Sequence, residues 1–382
     1  MTLRERTMDN LRKKRENLIN GNINSIPSPF IRFSNDFIGI EQGTYYTLTS
    51  FTKGGKTQFV LNLLFEAILF AYSHQDIMRL KIFYFNLEET DERILNRFQS
   101  WLLYRLDRIR ISPANLRSSK NDSPVPEDVL DKLDSEEYTQ YIDFFEKCVT
   151  FSPTSNPTGI YYECRKYAEA NGTVYKKSVS FNEDDVFDRY EANDPFEYRI
   201  VVIDHISLID QERNLSKKEA IDKLSEYLAK YLRNRYNFTP IVIQQQSAEN
   251  ESNDSFKLNR IRPSGSGLSD SKYTQRDCNI MMGLFSPFKF GLKEYLGYDI
   301  TKFRDNIRFL ELIINRDGEM GGIIALYFDG ATCTFKELPP PEDKPALEEV
   351  YRYMASLNGN SNRIFFRYMI DKIKQLTRKK MQ

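Results

Sequence analysis

Apolar and polar positions alternate in different rhythms along this chain. Residues 2–19 are charged, with Leu3, Met8, Leu11 and Leu18 on a rough helical stripe and no glycine or proline before Gly21. The pattern predicts a helix with too little apolar surface to form a domain, so it lies solvated or docks on something else. INSIPSPFIRF then reads as a proline-punctuated linker. From about residue 37 the rhythm changes. YYTLTSF is β-rich, TQFVLNLLFEAILFAYS is a strongly apolar helix, KIFYFNL is a strand and TDERILNRFQSWLLYRL is an amphipathic helix.

A polar stretch, residues 112–136, precedes a short helix and the strand CVTFS, and a further helix runs from about Thr158 to Ala170. Residues 173–197 are polar and acidic, an insertion. RIVVIDHISLI is a β-branched run with the look of a strand buried on both faces, as in a parallel sheet. The next helix opens at Ser216 with Glu219 in capping-box spacing and lines Ile221, Leu224, Leu228, Tyr231 and Leu232 on one face. TPIVIQQQS is another strand. Residues 248–272 are rich in Ser, Asn and Gly and read as a mobile loop, while FLELIINR and GIIALYFDG suggest a hairpin. The fold class this predicts is α/β, with a central mainly parallel sheet flanked by helices. Its expected divisions are a linker helix (1–24), one α/β domain (25–338, closed by the triple proline 339–341) and a basic helical tail (339–382) ending in RKKMQ.

Charge narrows the function classes only a little. Lys+Arg and Asp+Glu both number 54 in the 382 residues, which argues against a globally basic nucleic-acid coat but leaves room for cations gathered on one surface. The four cysteines, Cys148, Cys164, Cys278 and Cys333, form no C-x-x-C pair and read as free thiols of a reducing cytoplasm. His74 and His205 are too few for a histidine-rich metal centre. No window approaches the roughly 18 apolar residues of a membrane span, and the N-terminus has no signal-peptide core.

The chemistry gathers at strand ends. SFTKGGKT, Ser50 to Thr57, sits between a strand and a long helix and ends like a phosphate-binding loop, but has Ser where G-x-x-x-x-G-K-[ST] asks for Gly. Backbone N–H groups of Lys53, Gly54, Gly55 and Lys56 can surround a β-phosphate, Lys56 can reach the β/γ oxygens and the Thr57 hydroxyl can ligate Mg²⁺. Taken alone, the stretch has one competing reading, a Gly-Gly turn before an ordinary helix, which the phosphate-loop reading outweighs. Asp204 closes the run RIVVID, and a carboxylate there suits a metal's water shell, since an unpaired buried one is costly. His205 beside it reads as packed or hydrogen-bonded. Glu88, after the strand KIFYFNL, is placed to polarise an attacking water; Glu89 points elsewhere or starts the next helix. Gln244, Gln245 and Gln246 sit where an apolar strand ends, a position from which a glutamine can sense a γ-phosphate. Arg316 lies in a tight turn, NRDGEMGG, either solvated or reaching a neighbouring subunit's nucleotide.

In order, SFTKGGKT, FNLEET, VVIDHISLI, PIVIQQQS, LSDSKYTQRDCNIMM and IINRDGEMGG resemble the successive motifs of the RecA-like motor domain of DnaB-type hexameric replicative helicases, over roughly residues 25–337. The resemblance implies an ATP hydrolase with Mg²⁺, forming a homo-oligomeric ring on single-stranded DNA, with a primase or a helicase loader as further partners. It places the metal aspartate on Asp204, the water-polarising glutamate on Glu88, the sensor on Gln246 and the arginine finger on Arg316. Ser50, Lys53, Gly54, Gly55, Lys56, Thr57 and Gln58 become the nucleotide loop. The family tolerates a small residue at Ser50, and often has a lysine where this chain has Ile314. DNA contacts fall on the loops after Asp204 (Arg213, Lys217, Lys218) and after Gln246 (Lys257, Arg260, Arg262); Arg378, Lys379 and Lys380 read as a solvated end. Nothing resembles the family's primase-binding N-terminal domain, which suits a phage version, and residues 2–19 match only its linker helix, which packs on the adjacent subunit. Two other readings stay open: a RecA-like recombinase or mediator, and a low-turnover scaffold subunit.

Overall fold

The computed structural model describes residues 2–119, 123–177, 186–251 and 261–357. Helix α1, Leu3–Ile19, opens with a complete capping box between Thr2 and Glu5. Its Met8, Leu11, Leu18 and Ile19 are exposed, and it touches the body of its own chain through the ion pair of Lys14 with Glu41, 2.8 Å.

Nine strands form one sheet: β1 Tyr46–Ser50, β2 Arg79–Asn86, β3 Val149–Ser152, β4 Glu197–Asp204, β5 Thr239–Gln245, β6 Ile280–Phe285, β7 Ile307–Asn315, β8 Ile323–Asp329 and β9 Thr334–Glu337. Their spatial order is β9-β8-β7-β6-β1-β5-β4-β2-β3. Strands β6, β1, β5, β4, β2 and β3 run parallel, and β7, β8 and β9 add an antiparallel edge. The hairpin read from FLELIINR and GIIALYFDG is β7–β8. Strands β6 and β9 escaped the sequence reading, because IMMGLF has Met and Gly where β-branched residues mark a strand and TFKE is short and half polar.

Burial on both sides of the sheet follows from β4. Its Ile200 and Val202 join one apolar cluster and its Val201 and Ile203 the other, as the two-residue period of a strand requires. The first cluster packs under α2 (Lys56–Ser73), α3 (Asp91–Asp107) and α4 (Glu136–Cys148). The second packs under α5 (Pro157–Ala170) and α6 (Lys217–Glu226), which continues as a π-helical segment over Tyr227–Arg233. The Ser216–Glu219 capping box starts α6, as its spacing predicts. The acidic stretch after α5 pairs Gly172–Lys177 with Val186–Ala192 in a separate antiparallel hairpin. Beyond the triple proline, α7 (Lys344–Leu357) buries Leu347, Val350 and Tyr353 against the antiparallel edge. No described helix is long and apolar enough to cross a membrane.

One buried cation strains this edge. Lys336 on β9 has its Nζ enclosed beneath the Tyr104 ring, and burial, then Arg108 and Arg105, pushes its pKa well below the ordinary lysine value. Between that lowered value and the ordinary one, the unfolded chain holds a proton that the folded chain releases, so the stability Lys336 costs at neutral pH is recovered as pH rises. Lys336→Met is therefore expected to raise the thermal midpoint by a few degrees at pH 7, with the advantage shrinking toward pH 10, measured by calorimetry across pH.

Candidate functional site

Parallel register brings the carboxyl ends of β1, β5, β4 and β2 to one edge: Ser50 pairs with Gln245 and Asn86 with Asp204. Open α/β sheets bind ligands at this edge. The loop between β1 and α2 has the left-handed residues of an anion nest, Lys53 at φ 59° and Gly55 at φ 95°. Gly55 is the N-cap of α2 and no side chain caps that helix, so its first turn faces the loop's mouth.

The loop's carbonyls are tied to its outside. Ser50 O accepts from Gln246 N at 3.0 Å, Phe51 O from the Ser50 hydroxyl at 2.9 Å, Thr52 O from Lys289 Nζ at 2.9 Å, and Gly54 O from Arg308 Nε at 2.9 Å. Lys56 Nζ rests 3.4 Å from Phe51 O. One expected phosphate donor is engaged: Gly54 N–H donates to Phe51 O at 3.1 Å, leaving the nest to its neighbours. Ser50 is fully buried and fits because Gly54 has no side chain; a Cβ there would stand 2.4 Å from Ser50 Oγ. Gln58 Nε2 donates to Gly330 O at 3.4 Å, and Gly330 lines a cavity of about 260 Å³ with Glu89, Arg93, Arg97 and Arg117.

Asp204 is 1% exposed. The Thr57 hydroxyl donates to its Oδ1 at 3.0 Å and the Tyr84 hydroxyl to its Oδ2 at 2.7 Å. Burial lifts its pKa to about 6 against the lowering by those two bonds, and Glu88 and Glu89 add to the rise. Both of these partners are neutral hydroxyls, and a carboxylate so held suits a divalent ion. No cluster of three or more His, Cys, Asp or Glu suited to a metal occurs among the described residues. Thr57 and Asp204 are the side chains here that could hold such an ion.

Glu88 lies two residues past the end of β2, exposed, next to Asp204 and His205. Glu89 is the structural one of the pair, held by Arg97 at 2.9 and 2.5 Å. His205 is the packed histidine of its two expected readings: it is half-buried, its Nδ1 is enclosed without a hydrogen-bond partner, and burial lowers its pKa. The glutamines divide by the pleat. Gln246 and Gln244 face away from the loop, Gln246 donating to Thr49 Oγ1 and Ser264 O at 2.9 Å each, and Gln244 to Ser269 O and Ser271 O. Gln245 is the one whose side chain reaches the loop, at Thr52 Oγ1.

Arg316 stands apart. Its Nε donates to Cys278 O at 2.7 Å, and its backbone N–H to Asn279 O, at the amino end of β6. The phosphate loop leaves the carboxyl end of the paired strand β1, about 15 Å away at the rise of a β-strand. Of the cations expected on DNA, Arg213 and Lys218 are exposed. Lys217 is drawn back to Ile209 O, and Arg262 pairs with Glu311 at 2.9 Å. Lys257, Arg260 and the tail cations lie outside the described residues. Tyr84, Lys289 and Arg308 escaped the sequence reading, and Gln245 was read as one of three glutamines at a strand tip with the sensor placed on Gln246; for Arg308 the visible signal was an arginine inside the apolar run IRFLELII.

The strand order, with a loop leading from β1 into α2 and an aspartate closing β4, is that of a RecA-like α/β fold. Two solved structures share it. One is an ATPase domain (TM-score 0.60, 17% identity, 88% of this chain and 98% of that one), and the other is a DnaB-like replicative helicase described with its primase interactions (TM-score 0.58, 17% identity, 84% of this chain and 64% of that one). At that identity the likeness is one of fold. No family model and no curated protein matches the chain.

If Asp204 holds a cation it must be ionised to do so, so any Mg²⁺-dependent binding of nucleotide at this loop is expected to weaken as pH falls through about 6, rather than near 4. Tyr84→Phe removes a bond that favours the ionised form, so titrations with a fluorescent ATP analogue should place that limb at higher pH in the variant.

Proposed function

We propose that this chain is a Mg-ATP-dependent motor that encircles and moves along single-stranded DNA, a helicase of the DnaB kind. The observation that carries the reading is the Thr57–Asp204–Tyr84 group beneath a phosphate loop. Lys56 and the N–H groups around Gly55 hold the β- and γ-phosphates, and Thr57 and Asp204 hold Mg²⁺, which neutralises charge on the transferring phosphoryl group when bound. Glu88 takes the proton of the attacking water. Gln245 and Gln246, on opposite faces of one strand tip, connect the loop to the segment around Ser264. Arg316 is too far from its own phosphate loop to act there, which favours a ring in which it serves the next subunit, six copies by analogy with the family. Arg213 and Lys218, repeated around such a ring, meet the DNA backbone together with Lys217, Lys257, Arg260 and Arg262. A primase or loader is the remaining expected partner. A low-turnover scaffold is the second reading, favoured by Ile314 and by the bonds that hold Arg316 to its own backbone.

DNA-stimulated ATP hydrolysis tests the choice. Lys56→Ala and Glu88→Gln are expected to lower the rate about a hundredfold or more, and rates equal to wild type in both would sink the motor. Arg316→Ala should abolish stimulation while preserving nucleotide binding. Replacing Arg213 and Lys218 with Ala should weaken DNA binding for all sequences alike and flatten its salt dependence, read by fluorescence anisotropy.

A further inference from the structure

A trans peptide points its carbonyl and the following N–H in opposite directions. Holding Gly54 O outward therefore holds Gly55 N–H inward, toward the space a phosphate would take. Glycine on both sides of that peptide removes the steric barrier that would otherwise fix it, since glycine accepts both signs of φ. If the Gly54–Gly55 peptide turned over, a carbonyl oxygen would face the phosphate in place of a donor. Something outside the loop has to choose the orientation.

Arg308 is the group in contact. Its side chain is 1% exposed, deep in the first residues of β7, and Nε donates to Gly54 O at 2.9 Å. The rest of the guanidinium is fixed from behind. One terminal nitrogen donates to Asp305 O and Ile307 O, each at 2.8 Å, and the other to Asp305 Oδ1 at 2.9 Å. The Phe328 ring lies 4.4 Å away on its face, and the same ring borders Gly55, where an added Cβ would stand 3.6 Å from Phe328 Cζ. A lysine has no planar fork and cannot make this set of bonds. A buried cation is costly unless it is well bonded, so a purely apolar residue would serve a packing role at least as well. Asp305, its carboxylate partner, is 66% exposed in the turn Arg304–Asn306, on the rim of a cavity of about 550 Å³.

We propose that Arg308 is a positioning residue that locks the Gly54–Gly55 peptide in its phosphate-accepting orientation, with Asp305 as its brace. This rests on the reading of the loop as a nucleotide site. Without the lock, only a fraction of molecules presents the donor, and apparent affinity falls by that fraction while the locked fraction turns over normally. The signature is a raised nucleotide Kd and KM with kcat at saturation preserved.

Arg308→Met, Arg308→Lys and Asp305→Ala test it, with Mg²⁺ and a fluorescent ATP analogue as the probe and the apo thermal midpoint measured alongside. The expected result is a Kd raised about tenfold in Arg308→Met, the cost of one charge-assisted hydrogen bond, with the midpoint unchanged or raised. Arg308→Lys should fall between that variant and wild type, and Asp305→Ala should show a rise of about two- to threefold. A lowered midpoint with wild-type Kd in the folded variants overturns the proposal and leaves Arg308 a packing residue. Should Arg308→Met fail to fold, Asp305→Ala decides alone, because its side chain is largely in solvent, and wild-type affinity there overturns the lock. Absence of binding by the wild-type chain, with Lys56→Ala indistinguishable from it, would instead overturn the nucleotide site itself.

Discussion

A carboxylate sealed among apolar strands, with hydroxyls for partners, is the constraint around which this structure is arranged. Leaving Asp204 at the end of β4 costs free energy that burial alone would never favour, as its raised pKa records. A divalent cation would offset that cost, and the sheet order explains how one could reach it. Strand β2, on one flank of β4, delivers Tyr84 to one oxygen. Helix α2, reached from β1 across β5, delivers Thr57 to the other.

The loop itself obeys a complementary rule. An anion nest needs its N–H groups turned inward, so its carbonyls must find donors outside. Those donors come from segments distant in the chain: Gln246 after β5, Lys289 after β6 and Arg308 on β7. The antiparallel edge is thus part of the site's support, although it carries none of the residues expected to touch a nucleotide except Arg316. Ser50 belongs to the same logic. It replaces a glycine by placing its side chain in the space that Gly54 vacates, and its hydroxyl bonds a loop carbonyl.

Local features were legible in the sequence and distant pairings were not. The loop SFTKGGKT, the aspartate closing RIVVID and the Ser216 capping box each lie within a few residues, where spacing alone determines geometry. Which of three glutamines reaches the loop depends on the pleat phase of β5, and that is set by its register with β1. Lys217 and Arg262 looked like free cations because Ile209 O and Glu311, which engage them, cannot be paired with them from spacing. Arg308 drew no sequence reading, because its acceptor is more than two hundred residues away.

The same distances bear on how copies of the chain would cooperate. Arg316 and the phosphate loop sit at opposite ends of the paired strands β6 and β1, so rearrangement within one subunit cannot bring them together while the sheet stays intact. An arginine at an exposed turn, however, can trade its charge-assisted bonds to backbone carbonyls for equally charge-assisted bonds to water or to a phosphate, so the net cost of the exchange is small. Moving Asp204 or Arg308 would strand a buried charge. In a ring, then, the fixed half of the site would belong to one subunit and the adjustable half to the next. Ile314, two residues before Arg316, leaves that adjustable half without a lysine at that position, so more of any coupling between copies would fall on Arg316.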